Sequence, residues 1–241
     1  MASNSTKSLA RYFGQTSPRD LKELQHNASK AKPEQLAKAA GYLQKAFTGQ
    51  YYAWFGGWAL NLRGSRRETT DLDLLVLAAD VGQVRTTLAP YSWAILSYWE
   101  ITGSIQERMF VDISEGGQLV AVDVVLSGKL DTPNLTEPDS FELIHPSFQT
   151  PQGSKVPVIE LTWQVEGKLG AWISRRKDSD LKDLIFLFMT YGETIRQWSE
   201  HLKMESRVDF YEVYKITMDS DVEACKEMRE TLCIAQKKSR K

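Results

Sequence analysis

Two aspartates one residue apart are the first candidates for chemistry. Asp71 and Asp73 flank Leu72 and lead into the apolar residues 74–76. If this run is a strand, both carboxylates point to the same side of a sheet, one pleat apart. Carboxylates held side by side repel each other unless a cation neutralises them, and hard oxygen ligands suit Mg²⁺. The pair therefore predicts a site for Mg²⁺, with Mn²⁺ as the alternative metal.

The context of this pair separates it from two other Asp-x-Asp triplets. Asp178/Asp180 and Asp219/Asp221 stand at the starts of segments predicted to be helical. Acidic residues favour the positive end of a helix dipole, which suffices to explain both triplets. Only the first pair enters a predicted strand, so it is the better metal candidate.

A third carboxylate interrupts an otherwise apolar run. Asp123 lies within Leu119–Leu126, where every other residue is apolar. An unpaired charge inside a buried strand is costly, so something must compensate it. Metal ions shared with Asp71 and Asp73 across neighbouring strands would do so. The alternative is an aspartate that is turned to solvent or paired with an arginine.

The spacing of these residues resembles that of a known family. Gly56-Gly57, thirteen further residues, the triplet at 71–73 and a later lone Asp123 resemble the motif of the nucleotidyltransferase superfamily of the DNA polymerase beta type. Residues 56–74 are similar to its small members, which include antibiotic nucleotidyltransferases and abortive-infection toxin nucleotidyltransferases. The resemblance implies an enzyme that uses two Mg²⁺ ions to move a nucleoside monophosphate from an NTP onto an acceptor. It makes the three carboxylates both metal ligands and catalytic residues.

The same resemblance assigns the glycine pair and an arginine to the nucleotide. Gly57 precedes a predicted helix, where a glycine lets backbone N–H groups approach a triphosphate closely. Many relatives carry serine at this position, so a hydroxyl contact is missing here. A simple tight turn is the alternative for Gly56 and Gly57. Arg67 either holds a phosphate or braces the loop before Asp71, and a solvent-facing arginine is the third interpretation.

A second group of residues is similar to the helical motif of these families. The resemblance assigns Lys168, Arg175 and Asp180 to nucleotide binding, with Lys168 reaching the phosphates. An exposed helical lysine is the alternative for Lys168. Asp180 and Asp183 share a helix face, so they either orient Lys168 or Arg175 or serve in capping and surface pairing.

The elements that must position these residues form two predicted halves. Pro18 and Pro33 are typical of the first turn of a helix, and a strand, a glycine turn and a short helix follow from residue 51. Further strands are predicted at 72–77, 93–99, 108–113 and 119–126. The pattern changes to helix from Glu160 onward. We expect an α/β (α+β) fold with a disordered leader at 1–17, a mixed-sheet nucleotidyltransferase core with N-terminal helices at 18–150, and a helical half at 151–241, the active cleft lying between the halves.

Composition limits the class of acceptor. Thirty basic and thirty-one acidic residues give a net charge of −1, so the chain lacks a global positive field for nucleic acid or membrane. A small-molecule acceptor is therefore favoured over RNA or protein, and ATP is the favoured NTP. No apolar run is long enough to cross a bilayer, and we expect a cytoplasmic protein.

Two other functions stay open at this point. The same fold and metals serve ligases that activate a carboxylate as an acyl-adenylate, whose products are AMP and a new amide or ester. A catalytically inactive nucleotide-binding module is the other alternative. Such modules commonly lose one carboxylate, whereas this chain keeps all three.

Overall fold

The computed structural model describes residues 12–15, 17–101, 104–114, 117–146, 155–218 and 221–235. The chain divides into two compact units, one ending at Ile159 and the other beginning at Glu160. The sequence predicted this boundary near residues 150–155, but Val156–Ile159 pairs with the sheet of the first unit, so the boundary lies at residues 159–160.

The first unit is built on one mixed sheet. Its elements in chain order are β1 (Tyr12–Gln15), α1 (Pro18–Ala28), α2 (Pro33–Ala46), β2 (Tyr52–Phe55), α3 (Gly56–Leu62), β3 (Asp71–Val76), α4 (Val81–Leu88), β4 (Ala94–Ile101), β5 (Ser104–Asp112), β6 (Leu119–Leu126), β7 (Phe141–Ile144) and β8 (Val156–Ile159). The strand order is β1-β4-β5-β6-β3-β2-β8-β7. The central strands β3 and β6 are parallel, while β5 and β2 run antiparallel on either side of them. The predicted α/β core with a mixed sheet is confirmed.

Part of the predicted leader belongs to this sheet. Residues 12–15 form β1, which pairs in parallel with β4, so the prediction of disorder is wrong for these residues. Backbone pairing with a distant strand creates β1, and four residues are too few for a periodic pattern to reveal it. Residues 1–11 and 16, which complete the predicted leader with Ser17, lie outside the described residues.

Side-chain alternation sorts the central strands into a core face and a second face. On the core face, Leu72 and Leu74 of β3 and Val122 of β6 pack with Leu36 and Leu43 of α2. Burying each such side chain stabilises the fold by about 1.5–3 kcal/mol. A slip of one residue in β3 would expose this set, so burial fixes the register.

The opposite face carries the carboxylates. Asp71, Asp73 and Asp123 alternate with the core residues and therefore point away from α2. On this same face, Leu21 and Ala28 of α1 pack beside Phe110 and other apolar residues of β4, β5 and β6. Apolar packing thus covers part of the face and leaves the carboxylate part half-exposed.

The second unit is helical, as predicted from Glu160 onward. It contains α5 (Leu161–Arg175), α6 (Asp178–Arg196), a 3₁₀ turn (Ser199–His201), α7 (Met204–Met218) and α8 (Val222–Thr231). Glu160 and Asp221 cap α5 and α8 by accepting hydrogen bonds from backbone N–H groups of the first turn. Among the described residues, no helix combines the length and apolar character needed to span a membrane.

Candidate active site

The three predicted carboxylates lie on two neighbouring parallel strands. The register of β3 and β6 pairs Asp73 with Asp123 and Asp71 with Ala121. Paired residues of parallel strands point to the same face, and such strands lie roughly 4.8 Å apart. Asp73 and Asp123 therefore stand directly opposite each other, with Asp71 one pleat back on the same face.

The glycine turn holds Asp73. The backbone N–H of Gly57 donates a hydrogen bond of 2.9 Å to Asp73 Oδ2. Gly56 has a φ of +60°, and a Cβ added there would overlap the Asp73 carboxylate. Both the backbone conformation and the close approach require a residue without a side chain at position 56. The strand, turn and short helix predicted from residue 51 are thus joined to the first carboxylate pair by a direct contact.

The loop before β3 holds Asp71 and the turn. Thr69 is buried, and its hydroxyl donates to Asp71 Oδ1 at 2.9 Å. Arg67 donates from Nη1 to the Glu68 carbonyl, and its Nη2 lies 2.8 Å from the position of a Cβ added to Gly57. Arg67 is therefore packed beside the turn, as the bracing interpretation expected. Sequence reasoning missed Thr69, although threonine near aspartate is typical of local side-chain hydrogen bonds.

Asp123 is paired with an arginine of the next strand. Arg108 of β5 donates from Nη1 to Asp123 Oδ1 at 2.8 Å, and each side chain is 45% exposed. The pairing of Met109 with Val122 in the antiparallel β5–β6 ladder places Arg108 opposite Asp123. This is the arginine-paired alternative that the sequence left open, and sequence reasoning had not singled out Arg108. From the sequence, Arg108 could have been identified only by aligning the predicted strands 108–113 and 119–126 in antiparallel register.

The pKa of Asp123 reflects opposing effects. Desolvation raises the pKa of this carboxyl above its ordinary value. The charge and hydrogen bond of Arg108 lower it, while the negative charge of Asp71 adds to the rise, and the net shift is upward. A carboxylate with a raised pKa takes up a proton more readily than an ordinary one.

The donor chemistry of the three carboxylates suits Mg²⁺, because this ion prefers oxygen ligands. Their side chains share one face of the sheet. Within the described ranges, no group of three His, Cys, Asp or Glu side chains is placed to hold one metal ion. In this structure, Asp73 accepts from Gly57 and Asp123 accepts from Arg108.

The other predicted nucleotide-binding residues form a cluster within the second unit. Lys168 Nζ lies 2.7 Å from Asp183 Oδ2 and 3.8 Å from Asp180 Oδ1. Arg175 donates from Nε and Nη2 to the two oxygens of Asp180, at 2.6 and 2.7 Å. Lys168 is only 8% exposed and both aspartates are fully buried, so the interpretation of Lys168 as an exposed helical lysine is wrong.

This cluster balances its own charge. Burial alone would raise the pKa of Asp180, but the hydrogen bonds from Arg175 and the charges of Lys168, Arg175 and Lys177 outweigh burial and lower the pKa. Asp180 and Asp183 therefore orient Lys168 and Arg175, which is one of the two roles that the sequence left open for them. The helix-dipole explanation of Asp180 is incomplete, since its carboxylate is engaged by side chains.

Comparison with known proteins reveals relatives in structure but none in sequence. No family model and no curated protein matches this chain. An antigenic nucleotidyltransferase-like protein from Paracoccidioides brasiliensis superposes with a TM-score of 0.52 at 17% identity, over 80% of this chain and 93% of that one. The fold is nucleotidyltransferase-like.

Two further solved structures are more distant. ANT(2")-Ia in complex with adenylyl-2"-tobramycin gives a TM-score of 0.40 at 13% identity, over 81% of this chain and 99% of that one. JHP933 from Helicobacter pylori gives 0.38 at 16% identity, over 90% of each chain. Of these three structures, the Paracoccidioides protein alone carries the assignment of the fold. Within this nucleotidyltransferase-like fold, the half-exposed carboxylates of β3 and β6 are the candidate active site.

Proposed function

We propose that this chain is a Mg²⁺-dependent nucleotidyltransferase. It transfers a nucleoside monophosphate from an NTP, with ATP favoured, to a hydroxyl of an acceptor, a small molecule in preference to RNA or protein. Pyrophosphate is the second product. The observation that carries the proposal is the arrangement of the three aspartates. Asp73 lies opposite Asp123 on adjacent parallel strands, and Asp71 lies one pleat away. The Gly56-Gly57 turn contacts Asp73.

The carboxylates supply the ligands and the base. Asp71, Asp73 and Asp123 would hold two Mg²⁺ ions, which when bound neutralise the triphosphate and lower the pKa of the acceptor hydroxyl. Asp123 receives the proton of that hydroxyl. The acceptor oxygen then bonds to the α-phosphorus while the bond from that phosphorus to the oxygen bridging to the β-phosphate breaks, and pyrophosphate leaves. The contribution of the chain is mainly positioning and charge neutralisation.

The remaining assignments stay predictions with modified roles. Because the Gly57 N–H is given to Asp73, the turn first serves to orient a metal ligand, and phosphate contacts would fall to neighbouring N–H groups. Arg67, beside that turn, is proposed to contact the nucleotide by its exposed part. Lys168, Arg175 and Asp180 keep the nucleotide-binding role that the resemblance implies, with the acidic partners fixing the two cations.

The test is transfer of a labelled nucleotide by the full chain. Wild type and Asp123→Asn are incubated with α-³²P-ATP, Mg²⁺ and a cell extract, and RNA, protein and small molecules are then separated. Wild type should label a small-molecule fraction. Asp123→Asn should lose about 10²–10⁴-fold in rate because it lacks the base, while its ATP affinity stays within a few-fold.

The exposed Asp131→Asn is the matched control and should transfer label like wild type. Absence of label in every fraction with wild type, or turnover by Asp123→Asn within a few-fold of wild type, would contradict the proposal. Release of AMP without a nucleotidylated product would indicate the acyl-adenylate ligase instead.

A further inference from the structure

The counter-charge of Asp123 comes from the chain itself. The residues Arg108, Asp123 and Asp73 form one row across β5, β6 and β3, with Arg108 and Asp73 on opposite sides of Asp123. Ser97 of β4 is paired with Arg108 and extends this row. Ser97 is buried, so packing holds the strand beside Arg108 in place. The position of Arg108 is therefore set by sheet register and not by a mobile loop.

The ion pair and a metal ion compete for the same carboxylate. An oxygen that accepts a charge-assisted hydrogen bond of 2.8 Å from a guanidinium is partly neutralised and turned toward its donor. A pair with both partners 45% exposed is weak enough for a divalent cation to displace.

We propose that Arg108 is a positioning residue that holds Asp123 out of the metal-binding set until a divalent cation takes its place. The inference rests on the proposed function, since it assumes that Asp123 ligates a metal. Arg108 should therefore lower the affinity of the nucleotide-free chain for a divalent cation. A variant without the Arg108 guanidinium should bind that cation more tightly.

Binding of Mn²⁺ alone tests this inference without any activity measurement. Free Mn²⁺ is measured by electron paramagnetic resonance during titration of the full chain in the absence of nucleotide. Arg108→Met should bind Mn²⁺ roughly two- to tenfold more tightly than wild type, which is the range set by exposed and partly buried charged contacts. Arg108→Gln should show the same gain, and it provides a second variant should methionine impair folding. Arg108→Lys should stay close to wild type.

Two controls separate a local effect from general charge. Arg196→Met removes an equal charge from the exposed pair with Glu230 and should leave Mn²⁺ affinity unchanged. Adding Asp123→Asn to Arg108→Met should abolish the gain. Equal Mn²⁺ affinity in wild type, Arg108→Met and Arg108→Gln would overturn the role of Arg108 while leaving the proposed function intact.

The failure of the proposed function itself has a different signature. If Asp123→Asn changes Mn²⁺ affinity in neither the wild-type nor the Arg108→Met background, Asp123 is not a metal ligand. The metal role in the proposed function would then be wrong, and the inference about Arg108 would fall with it.

Discussion

In the second unit, two fully buried carboxylates are matched by two cations of the same chain, Lys168 and Arg175. In the first unit, three carboxylates share a half-exposed face, and they accept hydrogen bonds from a backbone N–H, a hydroxyl and Arg108, among other contacts. The buried carboxylates have their counter-charges beside them, whereas the half-exposed carboxylates are the proposed ligands of an external cation.

The directions of the pKa shifts express the same difference. The cations of the second unit lower the pKa of Asp180 despite burial, and desolvation raises the pKa of Asp123 despite Arg108. A lowered carboxyl pKa means that the ionised group stabilises the fold, and a raised one means that it does not. Ionised Asp180 thus contributes to stability, whereas ionised Asp123 is held in place at some cost to it.

The largest expected effect is on activity in the first unit. The double variant Asp71→Asn/Asp73→Asn should lose all measurable nucleotide transfer, because both proposed metal ligands lose their charge. Removing two like charges from one face should leave the melting temperature of the metal-free protein unchanged or higher. Transfer assays and thermal melts check both outcomes.

The matched control for that variant is Glu223→Gln/Glu227→Gln, which removes two exposed acids from α8 and should keep full activity. Wild-type activity should also disappear in EDTA. Full activity in EDTA, or unfolding of the Asp71/Asp73 variant, would contradict the contrast between the clusters.

A smaller effect, measured as stability, is expected in the second unit. Asp183→Ala should lower the free energy of unfolding by about 3–5 kcal/mol, because it leaves the Lys168 ammonium buried without its carboxylate at 2.7 Å. Urea unfolding measures this loss. Asp178→Ala, an exposed first-turn acid of the same helix, should lose no more than about 1 kcal/mol. Similar losses in the two variants would show that the buried pair contributes little.

The smallest effect is the dependence of stability on pH. Asp180 has a lowered pKa, so its stabilisation is present above the ordinary aspartate pKa of about 3.9 and is lost as pH falls below it. Asp123 has a raised pKa, so its ionised carboxylate destabilises the fold at neutral pH. Protonation of Asp123 as the pH falls removes this destabilisation. Melting temperatures from neutral pH to pH 3 should therefore fall less in Asp180→Asn than in wild type, and more in Asp123→Asn. If the fall in melting temperature changed in the same direction in both variants, relative to wild type, the opposite roles of Asp180 and Asp123 would be contradicted.

The sequence revealed the local parts of the candidate site better than the contacts between them. The Gly56-Gly57 turn and the face shared by Asp71 and Asp73 follow from alternation and turn chemistry, which act within a few residues. The partner of Asp123 depends on how β5 lies against β6, a register fixed by burial across the sheet. For that reason the sequence left an arginine partner open but did not identify Arg108.

The same limit applies to the fold. Helices α1 and α2 begin at the prolines that predicted them. Strand β1 was not predicted, because it depends on pairing with β4, far away in the chain. Strand β7 was not predicted either, because its four residues give too short a pattern. Burial of Lys168 was not predicted either: the sequence offered Asp180 and Asp183 as possible partners, but burial depends on how α5 packs against α6.

The parallel pairing of β3 with β6 also bears on when the candidate site is completed. Residues 73 and 123 meet only after α4, β4 and β5 have been placed between them in the chain. Contacts between such distant segments are slow to form, because loop closure must come first. We therefore expect the carboxylates to gather late in folding, which pulsed hydrogen exchange of β6 amides would reveal. A nascent chain that ends before β6 would carry the glycine turn and its first carboxylate pair but not Asp123.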